Sequence, residues 1–146
     1  MKKSAFWLVV VVIGTLILVS CDDKENVKSM VEKVWTFSQS HPDGFTVDVR
    51  TMTTPTKGIA VSYAATQDSH SHESLTFVVI HALKHDGYVG GWLDSESGMY
   101  YFDSIKIFPE DQLEEALEFA RENGQIAVYI ISTSEEIRVD EIRMAA

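Results

Sequence analysis

The chain of 146 residues has a single cysteine, Cys21, and few basic residues. One cysteine cannot form a disulfide bond within the chain, so a hydrophobic core must stabilise the fold. Lysine and arginine number 12 against 22 aspartates and glutamates, which gives a formal net charge of −10. Because so acidic a chain repels phosphate backbones, we expect no nucleic-acid partner.

Motifs of the common catalytic chemistries are missing as well. No serine stands in a Gly-x-Ser-x-Gly elbow, and the glycine-containing segment 87–91 lacks the Lys-Ser/Thr pair of a phosphate loop. A Ser–His–Asp set can be written from Ser62, His81 and Asp103, but their spacing gives no reason for them to meet. We expect no cofactor, and we favour a binding protein over an enzyme.

What the sequence does have is a distinctive amino terminus. Lys2 and Lys3 precede an apolar run over residues 5–19, which is followed by Ser20 and Cys21. This layout is typical of a secretory signal peptide, and the run is short of the roughly 20 apolar residues that a spanning helix needs. The pattern predicts a signal peptide over 1–20, with an uncleaved anchor helix as the alternative.

The end of this run, Leu18-Val19-Ser20-Cys21, resembles the lipobox of bacterial lipoproteins. The resemblance implies cleavage after Ser20, diacylation of Cys21 and a lipid bilayer as partner. Two or more acyl chains make such an attachment stable. The acidic residues after Cys21 resemble an inner-membrane retention signal of enterobacteria and also a surface-export signal of Bacteroidetes. We expect a lipid-anchored protein of the cell envelope and favour the outer membrane or cell surface.

The remaining chain is long enough for one domain. We interpret 21–26 as a lipidated tether, 27–140 as a single α+β domain and 141–146 as a frayed tail. About 120 residues can bury one substantial core but not two. Periodicity predicts the order α-ββ-α-ββ-α-β, with a mainly antiparallel sheet of five or six strands packed with three helices.

Local patterns place the elements along the chain. Apolar residues at helical spacing predict helices over 27–40, 72–84 and 109–123, and the other apolar runs predict strands over 45–50, 58–64, 88–93, 99–108, 126–131 and 136–139. The first two strands are expected to form one hairpin and the next two a second. The run 126–131 is interpreted as a central strand. Gly90 and Gly91 indicate a bulge or a close backbone approach.

The second hairpin carries the candidate ligand-binding residues. Carboxylates beside aromatic rings can bind sugars or calcium, or act as an acid–base pair. If the hairpin pairs closely, Trp92 and Tyr100 should share one face of the sheet, and exposed aromatics are common in recognition surfaces. The predicted site consists of Trp92, Tyr100, Asp94 and Asp103, with Glu96 as a further carboxylate.

Two histidines on the second helix offer a different chemistry. His81 and His85 are one turn apart, and imidazoles at that spacing can share a zinc or nickel ion. His70 and His72 lie at the opposite end of the helix, about 13–22 Å away at about 1.5 Å per residue. All four therefore cannot bind one ion, and the alternative is that the histidines simply lie on the surface.

The segment from Gly90 to Asp94 through 100–104 and the third helix to 123–129 resembles a small domain of uncharacterised proteins from Bacteroidetes and their phages or mobile elements. The resemblance covers 44–138 and implies no activity. We therefore expect a membrane-anchored lipoprotein whose noncatalytic domain binds an unknown protein or small molecule at the bacterial cell envelope. The alternatives are an exclusion or immunity lipoprotein of a mobile element, and an envelope hydrolase that uses carboxylates or a His-bound metal.

Overall fold

The computed structural model of the chain describes residues 23–140, so the predicted signal peptide, Cys21 and the tail 141–146 lie outside the described residues. Helix α1 covers 23–39, α2 covers His72–Lys84 and α3 covers Leu113–Glu122. The strands are β1 Gly44–Asp48, β2 Ile59–Ser62, β3 Tyr88–Leu93, β4 Tyr100–Phe108, β5 Ala127–Ile130 and β6 Glu135–Arg138. None of the helices in this range is sufficiently long and apolar to cross a membrane.

The six strands form one antiparallel sheet in the order β1-β3-β4-β2-β5-β6. All three helices pack on the same face of it, which confirms the predicted α+β fold. The strand residues on that face alternate with those on the other, as the pleat requires. The opposite face carries no helix from the described part of the chain.

Two hydrophobic clusters fill the space between helices and sheet. Helices α1 and α2 cover one cluster, in which Val34, Leu75 and Phe102 are buried. Helix α3 covers the other through Ala116, Leu117 and Ala120, together with buried strand residues such as Ile59. The apolar residues whose spacing predicted the three helices therefore lie on the helix faces that are buried against the sheet.

Helix α2 begins and ends where its sequence predicts. The Ser71 side chain accepts a hydrogen bond from the Ser74 amide, and the Ser74 hydroxyl accepts one from the Ser71 amide, which completes a capping box. At the other end, the Gly87 amide donates to the Ala82 carbonyl at 2.8 Å with a φ of +83°, the left-handed conformation that glycine adopts easily.

The first predicted hairpin is wrong. Strand β1 pairs with β3, and β2 pairs with β4 and β5, so the β3–β4 hairpin lies between the two strands that were expected to be neighbours. Turn residues over 53–57 stop a strand whether the chain reverses locally or crosses to a distant position. The second predicted hairpin is confirmed, with Trp92 opposite Tyr101 and Leu93 opposite Tyr100.

Gly90 and Gly91 lie in regular strand pairing, without a bulge, and what they permit is close packing. A Cβ atom at Gly91 would clash with Cε1 of Phe45 and would lie 2.8 Å from Cε1 of Tyr100. At Gly90 it would lie 2.9 Å from Cγ1 of Ile105. The two glycines thus let neighbouring side chains lie across β3 on both faces, which agrees with the close-approach alternative.

The remaining differences between the predicted and observed elements are smaller and concern where elements begin and where β5 lies in the sheet. Helix α3 starts at Leu113, because 109–112 forms a turn closed by the Gln112 amide on the Pro109 carbonyl. Strand β5, which was predicted to be a central strand, has a neighbour on each side but is second from the edge of the sheet, and its Tyr129 is exposed. Residues 23–26 of the predicted tether are already helical.

Candidate functional site

The helix-free face of the sheet is rich in aromatic side chains. Its centre is the outer half of the β3–β4 hairpin, where the register aligns Trp92 with Tyr101 and Gly90 with Asp103. Strand β2 contributes Ser62, which pairs with Ile105 on the same face. We name this group the Trp92 patch, and it consists of Trp92, Tyr101, Asp103 and Ser62.

Trp92 and Tyr101 form a stacked pair at the surface of this face. Their ring centroids are 5.1 Å apart and the rings are inclined by 23°. Trp92 nevertheless leaves 47% of its surface exposed. Cross-strand aromatic pairs stabilise sheets, so the stack holds the indole in one orientation while a large apolar area stays open to a partner.

Asp103 lies beside the stack and is only 7% exposed. The Trp92 indole N–H donates to its Oδ2 at 3.3 Å, and the Ser62 hydroxyl donates to the same oxygen at 3.4 Å. Burial raises the pKa of Asp103 to about 6; the two hydrogen bonds oppose that shift and the nearby Asp68 carboxylate adds to it. The patch therefore holds a carboxylate that keeps its negative charge near neutral pH against a desolvation cost.

An irregular segment beyond β2 completes the surroundings of Asp103. The Tyr63 amide donates to the Ser104 carbonyl at 3.0 Å, and the Phe102 amide donates to the Ser69 carbonyl at 2.7 Å. The chain from 63 to 69 thereby follows the edge of β4 where β2 has ended. This course brings Asp68 near Asp103 and His70 to 6.0 Å from the ring of Tyr101.

Tyr100 lies on the opposite face from Trp92, contrary to the expectation that they share one. Its ring packs 5.3 Å from Phe102 over the core, and its hydroxyl donates to the His41 carbonyl at 2.9 Å. Burial raises the pKa of Tyr100 to about 12, with a contribution from Asp43. Tyr100 thus fastens the β3–β4 hairpin to the segment after α1.

Asp94 organises the hairpin turn. Its carboxylate accepts hydrogen bonds from the Ser97 hydroxyl at 2.5 Å and from the Glu96 amide at 3.1 Å. The Ser97 hydroxyl is the main reason that the pKa of Asp94 is lowered. Because Asp103 pairs with Gly90, it lies four residues along β3 from Asp94, or about 13 Å at about 3.3 Å per residue. Asp94 and Asp103 thus belong to separate parts of the hairpin.

The histidines of α2 stack on each other on the helix side of the sheet. The His81 and His85 ring centroids are 4.0 Å apart with an angle of 12° between the rings. A metal ion lies in the plane of each imidazole that binds it, so two nearly parallel rings at this separation do not bind one ion as placed. Burial, followed by the neighbouring His85 and Lys84, lowers the pKa of His81. Within residues 23–140, no three or more side chains of His, Cys, Asp or Glu are grouped so that they could hold a metal ion.

The Ser62–His81–Asp103 set is not assembled either. Ser62 reaches Asp103, but both face the helix-free side, whereas His81 belongs to a helix packed on the other face. A shallow groove of about 700 Å³ lies along α1, lined by mixed charges such as Lys28, Glu32 and Lys33. No hydrogen bond or ion pair joins these three side chains to one another, and Glu32 pairs with His72 instead. The Trp92 patch, whose side chains are held by hydrogen bonds and stacking, is therefore the better candidate.

Tyr101 and Ser62 are the members of the patch that were not predicted for the ligand-binding site; Ser62 was considered only for the Ser–His–Asp set. Alternation along β4 does put Tyr101 and Asp103 on the same face. The hydrogen bond of Ser62 depends on the pairing of β2 with β4, which no local signal predicted. The chain matches no protein-family model, and neither curated proteins nor solved structures provide a significant match to it.

Proposed function

We propose that this protein is a lipoprotein of the bacterial cell envelope whose α+β domain is a noncatalytic binding module. The lipobox-like segment at Cys21 supports the anchor, and the Trp92 patch supports the binding surface. The observation that carries the proposal is a tryptophan held by a stacked tyrosine and a hydrogen bond to a buried carboxylate, yet about half exposed. Tryptophan and tyrosine are enriched among the few side chains that contribute most of the binding energy at protein interfaces.

The acidic composition fits a tethered domain. Removing residues 1–20 takes away Lys2 and Lys3 and no acid, so the processed chain has 10 basic and 22 acidic residues and a net charge of −12. Such a charge disfavours contact with anionic lipid headgroups. The domain would then stand off the bilayer with its binding face available.

The anchor is tested by the Cys21→Ser substitution. We expect complete loss of metabolic palmitate labelling and accumulation of the unprocessed precursor, because a serine hydroxyl does not replace the acylated thiol. The matched control is Ser20→Ala, which keeps a small residue before the cysteine and should be labelled and processed normally. Palmitate incorporated into the Cys21→Ser chain would refute attachment at this position.

The binding face is tested by cross-linking the full-length protein in living cells. We expect Trp92→Ala to reduce the specific cross-linked species by at least about tenfold, the loss typical of an aromatic hot spot of about 1.4 kcal/mol or more. Phe77→Ala is the matched control, because Phe77 is 53% exposed but lies on α2, away from the patch. Equal cross-linking by the two variants would place the partner elsewhere.

An envelope hydrolase is the second candidate, because a carboxyl group with a pKa of about 6 suits a general acid near neutral pH. A glycosidase needs a second carboxylate within about 5–10 Å of the first. Asp94 is beyond that range, which leaves Asp68 as the nearby acid. The binding module needs no such pair and is therefore preferred.

A further inference from the structure

One ring face of Trp92 is not covered by a side chain from the neighbouring strand. On one side the indole stacks on Tyr101, and on the other side its partner in β1 is Gly44. Glycine has no side chain to cover the indole, which accounts for the large exposed fraction of Trp92. The result is an uncovered space over Gly44 of β1, here called the slot, which the indole bounds on one side.

The electrostatics of this slot favour a cation. Register assigns to this face Gly44, Thr46 and Asp48 of β1, Tyr88, Gly90 and Trp92 of β3, and Tyr101, Asp103, Ile105 and Ile107 of β4. This set contains no lysine or arginine. The carboxylate of Asp103 lies at the edge of the indole on the β4 side, where it accepts the indole N–H, and Asp68 lies near Asp103. The hydrogen bond to Asp103 increases the electron density of the ring and strengthens its attraction for a positive charge on its open face.

We propose that the open face of Trp92 binds an arginine side chain presented by a basic partner protein. A guanidinium group is planar and stacks on aromatic rings, and it is more weakly hydrated than an ammonium group. The net charge of −10 makes the whole chain complementary to a basic partner. The slot is part of an open sheet face, which suits a side chain presented from a partner's surface. The inference rests on the proposed binding function and specifies its partner.

The test uses the full chain in detergent micelles and a short neutral-backbone peptide with one arginine. Binding is followed by the NMR signal of the Trp92 indole N–H, which is assigned by its loss in Trp92→Phe. We expect a saturable shift with the arginine peptide and none with the same peptide carrying citrulline, which is nearly the same shape but uncharged. Equal shifts with both peptides would overturn the proposal.

Substitutions separate the site from general charge attraction. We expect Trp92→Ala, followed through neighbouring backbone signals, to weaken binding at least about fivefold, and Asp103→Asn to weaken it about threefold. Glu115→Gln removes one charge from the first turn of α3, on the opposite face of the sheet, and should leave the affinity unchanged. Equal losses for Glu115→Gln and Asp103→Asn would reduce the effect to net charge and refute the site. If the peptide fails to bind but Trp92→Ala still abolishes cross-linking in cells, the binding function stands and the arginine assignment is wrong.

Discussion

Replacing Asp103 by asparagine should stabilise the folded protein by about 2 kcal/mol at pH 8. A carboxylate that is 7% exposed carries a desolvation cost, and the shift of its pKa from 3.8 to about 6 corresponds to at most about 3 kcal/mol. The asparagine carbonyl can still accept the hydrogen bonds from Trp92 and Ser62. The substitution thus removes the charge and keeps the geometry.

The pH dependence has a definite sign. The folded state binds the Asp103 proton more tightly than the unfolded state does, so stability falls as pH rises from about 4 to about 6. Above that range the penalty is fully present, and below it both states are protonated and the penalty vanishes. We expect the difference in unfolding free energy between Asp103→Asn and the parent to grow over this window and then stay constant, as measured by pulse proteolysis in urea.

Asp94→Asn is the control with the opposite expectation. The hydrogen bonds from Ser97 and Glu96 lower the pKa of Asp94, so its ionised form favours the folded state and its loss should slightly destabilise the protein above pH 4. If Asp103→Asn also destabilised the protein at pH 8, the desolvation argument for the patch would be refuted. A more stable variant with weaker binding is the trade-off expected of a functional residue.

The largest loss of stability is expected from Phe102→Ala, at about 3–5 kcal/mol. Phe102 is 2% exposed, and its ring lies 5.8 Å from that of Trp35 on α1 and 5.3 Å from that of Tyr100. Its removal leaves a cavity between α1 and the sheet that the surrounding strands cannot fill. The measurement is again the urea midpoint by pulse proteolysis.

Phe77→Ala provides the matched control for this cavity. It removes the same ring from a position on α2 that is 53% exposed, so the change should stay within about 0.5 kcal/mol. Similar losses from the two variants would mean that Phe102 is not part of a closed core. In that case the packing of α1 on the sheet would be wrong.

The sequence predicted the local elements of this fold well because their signals are local. The limits of α2 follow from Ser71 and Gly87, and the buried stripe of α3 follows from its helical spacing. Strand alternation likewise assigned each residue of β4 to one of two faces. The order of the strands was not predicted correctly, because no local signal in β1 or β2 indicates that the β3–β4 hairpin lies between these two strands.

The candidate site was also predicted only in part from the sequence. Trp92 and Asp103 were recognised by their chemistry, but Tyr100 was chosen as the aromatic neighbour of Trp92 where the structure has Tyr101. A strand has a side-chain period of two, so a change of one residue in register moves a side chain to the other face of the sheet. The hairpin register alone decided which tyrosine would form the stack.

The sequence by itself determined the secondary structure, the acidic charge and the lipobox-like segment at Cys21, because each depends on residues close together in the chain. Only the tertiary structure decided that Trp92, Tyr101, Asp103 and Ser62 meet on a helix-free face. Their meeting depends on pairings between strands that are distant in sequence, and on Gly44 lying opposite Trp92. Such pairings are set by the packing of the whole sheet, which no short segment specifies.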